Sequence, residues 1–237
     1  MERFGLIETV RVEKGRAVLL DYHFKRISSS AEALSLPFNL SFEEFGKAVE
    51  SAATYDPALV RFTLTESGYT LSSRPCIKRQ EAALMPFYGV VRVYSDLSLH
   101  KTVDVMSSLY ALKAAQSKGF DEALLFDCRG FVSEAAFANL FFVKGGVLFT
   151  PSLKCGALPG TRRAFIVDLA RQMGLPVVEG FFSLEELLSA DEVFITSARE
   201  DTCPVVRVGS FSLPRPEGKP LWLRIREAIE WREKQGR

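Results

Sequence analysis

Two residues of this chain stand where their side chains could do more than face water. Lys101 comes after Tyr94-Ser95-Asp96-Leu97-Ser98-Leu99-His100 and just ahead of Val105, Met106, Leu109 and Leu112, whose spacing demands a buried helix face. Its stem should therefore lie along the domain. A lysine in a partly desolvated pocket has a lowered pKa and serves as an amine nucleophile or Schiff-base former. Glu134, 33 residues later, closes Phe131-Val132-Ser133 and leads into Ala135-Ala136-Phe137-Ala138-Asn139, with no further charge until Lys144. Burying that carboxylate unpaired would cost on the order of several kcal/mol, so it needs a cation or hydrogen-bond donors. The ordinary alternatives are a solvated lysine and a glutamate paired with a surface arginine.

Two further stretches suit an anion. Within Cys155 to Ala170, Pro159-Gly160 ends a loop at the start of a helix, where backbone N–H groups and the helix dipole favour a phosphate. Within Asp21 to Leu36, Arg26 lies on a helix whose other face is apolar, and a guanidinium grips phosphate bidentately. A solvated helix face accounts for Arg26 equally well. Arg11 and Arg61 could bind substrate carboxylates, with plain exposed strand positions as the alternative.

The elements that must position these groups read as two domains, 1–80 and 81–237, the larger carrying the lysine. In the first, a hairpin over Leu6 to Val12 and Ala17 to Leu20 precedes a helix over Tyr22 to Leu34. Ser41-Phe42-Glu43-Glu44 has the form of a capping box, and Leu59 to Thr65 with Tyr69 to Ser72 predicts a second hairpin. Ser72 to Gly89, broken by Pro75 and Pro86, reads as the linker. Beyond it come strands at Val90 to Tyr94, Ala123 to Asp127 and Phe131 to Glu134, a helix over Val105 to Ser117, and a hairpin about Lys144-Gly145-Gly146. Helices over Thr161 to Met173 and Leu221 to Glu233, a short one capped at Ser183, and strands at Val193 to Ser197 and Pro204 to Val208 complete the chain. The expected class is α/β with much antiparallel sheet.

Composition excludes several functions. The 237 residues carry 30 basic against 29 acidic side chains, so no global field recruits nucleic acid or an anionic membrane. No apolar run approaches the ~18 residues of a membrane span. Met1-Glu2-Arg3-Phe4 opens no signal peptide, so a cytoplasmic protein acting on a small molecule is expected. Cys76, Cys128, Cys155 and Cys203 form no C-x-x-C pair, and only His23 and His100 could join them, so no metal site is expected. With two histidines and no G-x-S-x-G, protons would have to be moved by something other than a Ser-His-Asp triad.

The ordered set "GLIETVRV", "YHFKRI", "HKTVDV", "GFDEALLFDCRGFVSEAAFANLFFV", "LFTP", "GALPGTRR" and "ADEVFITSAREDTCPV" resembles the class IV aminotransferases, the fold-type IV enzymes that use pyridoxal 5′-phosphate. The resemblance covers most of the chain. It implies that Lys101 is the Schiff-base lysine, that Glu134 holds the pyridine nitrogen protonated, and that Arg26 with the Gly160-Thr161 turn binds the phosphate, aided by the Ser197-Ala198 turn. It also implies a homodimer. Within the family, His100-Lys101 and Ser197-Ala198 look most like the 4-amino-4-deoxychorismate lyases of folate biosynthesis, which release pyruvate and 4-aminobenzoate. The Gly-Gly-Asn-Tyr usual after the lysine of branched-chain aminotransferases is absent here. The alternative is an aminotransferase for branched-chain or D-amino acids. Asp104 stands where the family generally has Asn, Arg162 where many members have Thr, and "MERFGL" lacks the family's usual first strand.

Overall fold

The computed structural model describes residues 4–234, which form two compact units. The first holds the chain up to Lys78 together with His100–Val105; the second holds Arg79–Leu99 and Met106 onward. In the first, β1 (Gly5–Glu13), β2 (Arg16–Ala17), β3 (Ala58–Thr65) and β4 (Gly68–Pro75) make an antiparallel sheet in the order β2-β1-β3-β4. Helices α1 (Leu20–Ala33) and α2 (Phe42–Ser51) accompany it. Alternation sends Leu6, Val10 and Val12 of β1 and Val60, Phe62 and Leu64 of β3 into one core with Ile27, Ala31, Phe45 and Val49 of the helices. Phe45 and Phe62 meet there edge to face. The expected capping box forms, Ser41 accepting from the Glu44 N–H while the Glu44 carboxylate accepts from that of Ser41.

One charge enters this core. Glu8, 1% exposed and on the helix-facing side of β1, accepts Arg26 Nε at 2.7 Å and Nη2 at 2.6 Å, both from α1, and lies 2.6 Å from His23 Nδ1. Burial pushes the Glu8 carboxyl up, but the charges and hydrogen bonds of Arg26 and His23 outweigh it and hold the pKa down at about 2. A depressed carboxyl stabilises the fold fully above its ordinary value of 4.5 and loses that contribution as pH falls toward 2. At neutral pH the contribution is about 3 kcal/mol. Acid unfolding of the wild type should therefore draw on this residue between pH 4.5 and 2. A Glu8→Gln variant, already weakened at pH 7, should show a flatter dependence in denaturant titrations over that window.

The second unit is built on β5 (Ala82–Arg92), β6 (Glu122–Asp127), β7 (Val132–Ala135), β8 (Asn139–Lys144), β9 (Val147–Pro151), β10 (Val177–Gly180), β11 (Glu192–Thr196), β12 (Cys203–Val208) and β13 (Phe211–Ser212). Its sheet runs β10-β9-β8-β11-β12-β5-β6-β7, with β13 beside β12. Most pairs are antiparallel; β5 joins β12 and β6 in parallel, as β9 does β10. Helices α3 (Met106–Gln116), α4 (Thr161–Gln172), α5 (Leu184–Leu188) and α6 (Leu221–Lys234) belong to this unit, and Ser183 caps α5 as expected. Leu124, Leu140, Phe142, Ile195 and Val205 lie in its main core.

Three sequence expectations need correction. The linker expected over Ser72 to Gly89 shrinks to residues 76–81, because β4 runs through Pro75 and β5 starts at Ala82; the two units divide inside it, between Lys78 and Arg79. Pro86 survives inside β5 because the ladder to β6 shifts register just beyond it. The strand expected at Ala17 to Leu20 shrinks to two residues, with α1 already begun at Leu20. Lys101, expected in the larger domain, groups with the first unit, because Ile7 N–H donates to its carbonyl at 2.8 Å and Val103 N–H to that of Gly5 at 3.0 Å.

Candidate active site

The first unit gathers four of the expected residues around β1. Those two main-chain bonds, with the antiparallel bridge between Leu6 and Thr102, lay the lysine segment along the edge of β1 that β3 does not use. Paired residues share a face and neighbours alternate, so Thr102 lies with Leu6 and Lys101 lies on the opposite face, that of Ile7, Thr9 and Arg11. His100, whose Nδ1 lies 2.9 Å from Ser30 Oγ, ties the segment to α1. Lys101 is half-buried. Arg11 is only 1% exposed and 3.6 Å from Glu13, not the solvated strand arginine of the ordinary reading. Arg61, directly across from Thr9, shares that face and is exposed. Arg26 is engaged by Glu8 as described, its side chain 12% exposed.

The second unit gathers Glu134, Gly160 and Thr161. Glu134 lies inside β7, 6% exposed, and its Oε2 accepts the Leu158 N–H at 3.0 Å and Asn139 Nδ2 at 3.3 Å. Its Oε1 faces Arg92 Nε at 3.1 Å, an ion pair lacking hydrogen-bond geometry, while Arg92 Nη2 donates to Ser108. The buried carboxylate thus has the donors and the cation that its apolar surroundings require. Asn139 also donates to the Leu158 carbonyl at 2.8 Å, and a Cβ on Gly160 would come within 1.9 Å of Asn139 Oδ1. Only glycine lets the turn close onto that amide. The result is a carboxylate and a helix N-terminus locked at one spacing by a single asparagine.

Helix α4 begins there, with Thr161 buried and Gly160 as an N-cap that offers no side chain to the first amides. Arg162, the departure at this turn, does not face a solvated anion site. It is 3% exposed and pairs with Asp201 at 3.0 Å and Glu233 of α6 at 3.3 Å.

Ser197 and Ala198 are half-buried in the turn after β11. Ser197 Oγ donates to Glu200 Oε2 at 2.6 Å and accepts from the Arg199 and Glu200 N–H groups, a tight local cap. Glu200 in turn accepts Arg79 Nε at 2.9 Å, and Arg79 Nη2 donates to Glu122 at 2.8 Å. Burial, with Glu200 adding to it against the opposing Arg79, pushes the Glu122 carboxyl up to about 7.

Sequence reasoning missed Glu8, His23, Arg92 and Asn139, all of which hold an expected residue in place. Glu8 and Arg92 carry no local signal, since each meets its partner across 18 and 42 residues of chain. Asn139 was readable as the one amide in the apolar run after Glu134. Among the described residues, no cluster of His, Cys, Asp and Glu is placed to hold a metal ion, and no helix is long and apolar enough to cross a membrane.

Comparisons with known proteins converge on one family. The family model for amino-transferase class IV matches residues 5–208. A Thermotoga maritima protein named a probable branched-chain-amino-acid aminotransferase is 30% identical over 232 residues, spanning 95% of this chain and 85% of that one. The branched-chain-amino-acid aminotransferase of Escherichia coli is 39% identical over 124 residues, 52% of this chain and 40% of its own. Its crystal structure matches with a TM-score of 0.85 at 26% identity, over 96% of this chain and 84% of that one. A Legionella pneumophila structure, provisionally assigned as a 4-amino-4-deoxychorismate lyase, shares the fold at TM-score 0.85 and 22% identity, over 100% of this chain and 92% of that one. With the mixed α/β fold and the family model agreeing over most of its length, this chain belongs to the class IV aminotransferases, enzymes dependent on pyridoxal phosphate.

Proposed function

We propose that this chain is an aminotransferase acting on branched-chain amino acids, with Lys101 as its catalytic residue. The kinship over 95% of the chain with the Thermotoga protein favours amino-group transfer. The observation that carries the site is Glu134: a buried carboxylate fixed by the Leu158 N–H and Asn139, in one piece with the start of α4. That donor and acceptor set fits pyridoxal phosphate, since an ionic ring nitrogen suits the carboxylate and a phosphate suits the uncapped N-terminus of a 12-residue helix. When bound, the cofactor supplies an electron sink for charge developing at the substrate α-carbon.

Each residue then has a defined task. Lys101 Nζ holds the cofactor covalently and moves the proton at the substrate α-carbon. Glu134 keeps the ring nitrogen protonated. Arg26, the amides and hydroxyl at Gly160-Thr161, and the Ser197-Ala198 turn bind the phosphate. Arg11 and Arg61, on the lysine's face of the first sheet, take the substrate carboxylate, and the less exposed Arg11 is the stronger holder.

The second reading is the lyase, favoured by His100-Lys101, Ser197-Ala198 and the missing Gly-Gly-Asn-Tyr. It needs no amino acceptor. Incubation with leucine or valine should yield keto acid in proportion to added 2-oxoglutarate and none without it. Stoichiometric pyruvate and 4-aminobenzoate from 4-amino-4-deoxychorismate, with no acceptor present, would replace the aminotransferase with the lyase.

The protein is further proposed to act as a homodimer. Tyr88, Val91, Val93, Tyr94, Met106 and Tyr110 of the second unit each lie exposed, apolar surface that a second copy would reduce. Light scattering should give twice the 26.4 kDa chain mass. A fully active monomer would refute the dimer.

A further inference from the structure

We infer that Glu8, backed by His23, is a positioning residue for the cofactor phosphate, fixing the plane and heading of the Arg26 guanidinium that grips it. The inference rests on the phosphate role proposed for Arg26. A carboxylate in the midst of Leu6, Val10 and Ile27 is a costly choice for a strand residue, and its bonds account for it. Arg26 meets it through two parallel N–H bonds, 2.7 and 2.6 Å, the fork geometry that holds a guanidinium in one plane. His23, 2% exposed, meets Oε2, the oxygen that also accepts Arg26 Nη2, at 2.6 Å. Because an ionised carboxylate only accepts, His23 Nδ1 must carry a hydrogen toward it, so the imidazole ring is held in one orientation as well.

A guanidinium has two edges. Glu8 takes the one made by Nε and Nη2, so an anion bound by Arg26 has to be taken on the other. An arginine otherwise samples many rotamers and must be ordered at the moment of binding; here that ordering is done beforehand, inside the fold. The carboxylate's own charge works the other way, because a second anion near a phosphate weakens the pull. Orientation and repulsion therefore predict opposite outcomes when the carboxylate is removed. Simple neutralisation of a core arginine predicts a third, a loss of folding that ignores which cofactor is offered.

Pyridoxal, which lacks the phosphate, separates these cases when apoenzyme is titrated with it and with pyridoxal phosphate in parallel. Arg26→Gln should weaken pyridoxal phosphate about 10-fold or more and leave pyridoxal unchanged. Glu8→Gln should do the same, and Glu8→Asp, which keeps the charge but withdraws the carboxylate by one methylene and spares the fold, should show a smaller loss of the same kind. In the Arg26→Gln background neither Glu8 change should add to the loss. Glu8 variants that bind pyridoxal normally and keep or raise the preference for the phosphate ester overturn the inference while the Arg26 reading stands. So do variants that lose both ligands alike, or losses that add in the double mutant. An Arg26→Gln variant with the wild-type preference overturns both.

Discussion

Lys101→Ala should leave no cofactor fixed to the protein. After borohydride treatment the intact mass of the wild type should rise by one reduced cofactor, and that of the variant should stay at the bare chain. Turnover should fall by on the order of 10³-fold or more, because the same amine is asked both to hold the cofactor and to move the α-proton, and positioned proton transfer alone contributes roughly 10²–10⁴-fold. The fold should survive. Lys101 is only half-buried, and its segment is held through main-chain bonds to Gly5 and Ile7 that alanine keeps. A variant that still gains the reduced cofactor would move the attachment to another lysine.

Glu134→Gln should bind cofactor within a few-fold of wild type yet turn over about 10²-fold more slowly. The amide keeps the side chain's volume and an acceptor for the Leu158 N–H, so the loop that ends at Gly160 should hold its place. What it loses is the charge. A neutral amide cannot favour the protonated ring nitrogen, and that proton makes the ring an electron sink. The loss should fall on kcat with KM little changed, since the interaction strengthens only as charge builds during reaction. Arg92, facing Oε1 at 3.1 Å, is left beside a neutral group, which adds a stability cost readable by thermal melting. Unchanged turnover would remove Glu134 from the mechanism.

What could be read from the sequence followed the range of the forces involved. The caps at Ser41 and Ser183 depend on residues three apart and both form as expected. Amphipathic helices such as Leu20–Ala33 and Thr161–Gln172 declare themselves through periodicity, with ends misplaced by two residues or fewer. Only the end of β5 declared itself, in the strand expected at Val90 to Tyr94, because its neighbours β6 and β12 lie far along the chain and its Pro86 mimics a breaker. The same division runs through the site. An apolar run around Glu134 signals a carboxylate in need of partners, but nothing in Arg92 says that it is one of them. The phosphate turn was legible as a loop closing on a helix, whereas the need for glycine at 160 appears only when Asn139 folds over it. Lys101 precedes its helix as expected, Met106 standing one residue past the start read at Val105, but nothing local says that the stretch bearing the lysine pairs with β1.

That pairing has a consequence for how the polypeptide can be cut. Strand β1 is bordered on one side by β3 from Gly5 to Val12; on the other side β2 covers only Val12 and Glu13, and residues 101–103 cover Gly5 to Ile7. A fragment ending near Lys78 would lack that second cover and expose bare N–H and C=O groups beside Leu6 and Ile7, the kind of open, apolar border that recruits other chains. The stretch bearing the reactive amine is at the same time the selvage of the first sheet. A folded amino-terminal piece would have to be made with residues 100–105 supplied to it, and a nascent chain leaves that border unfinished until they have been synthesised.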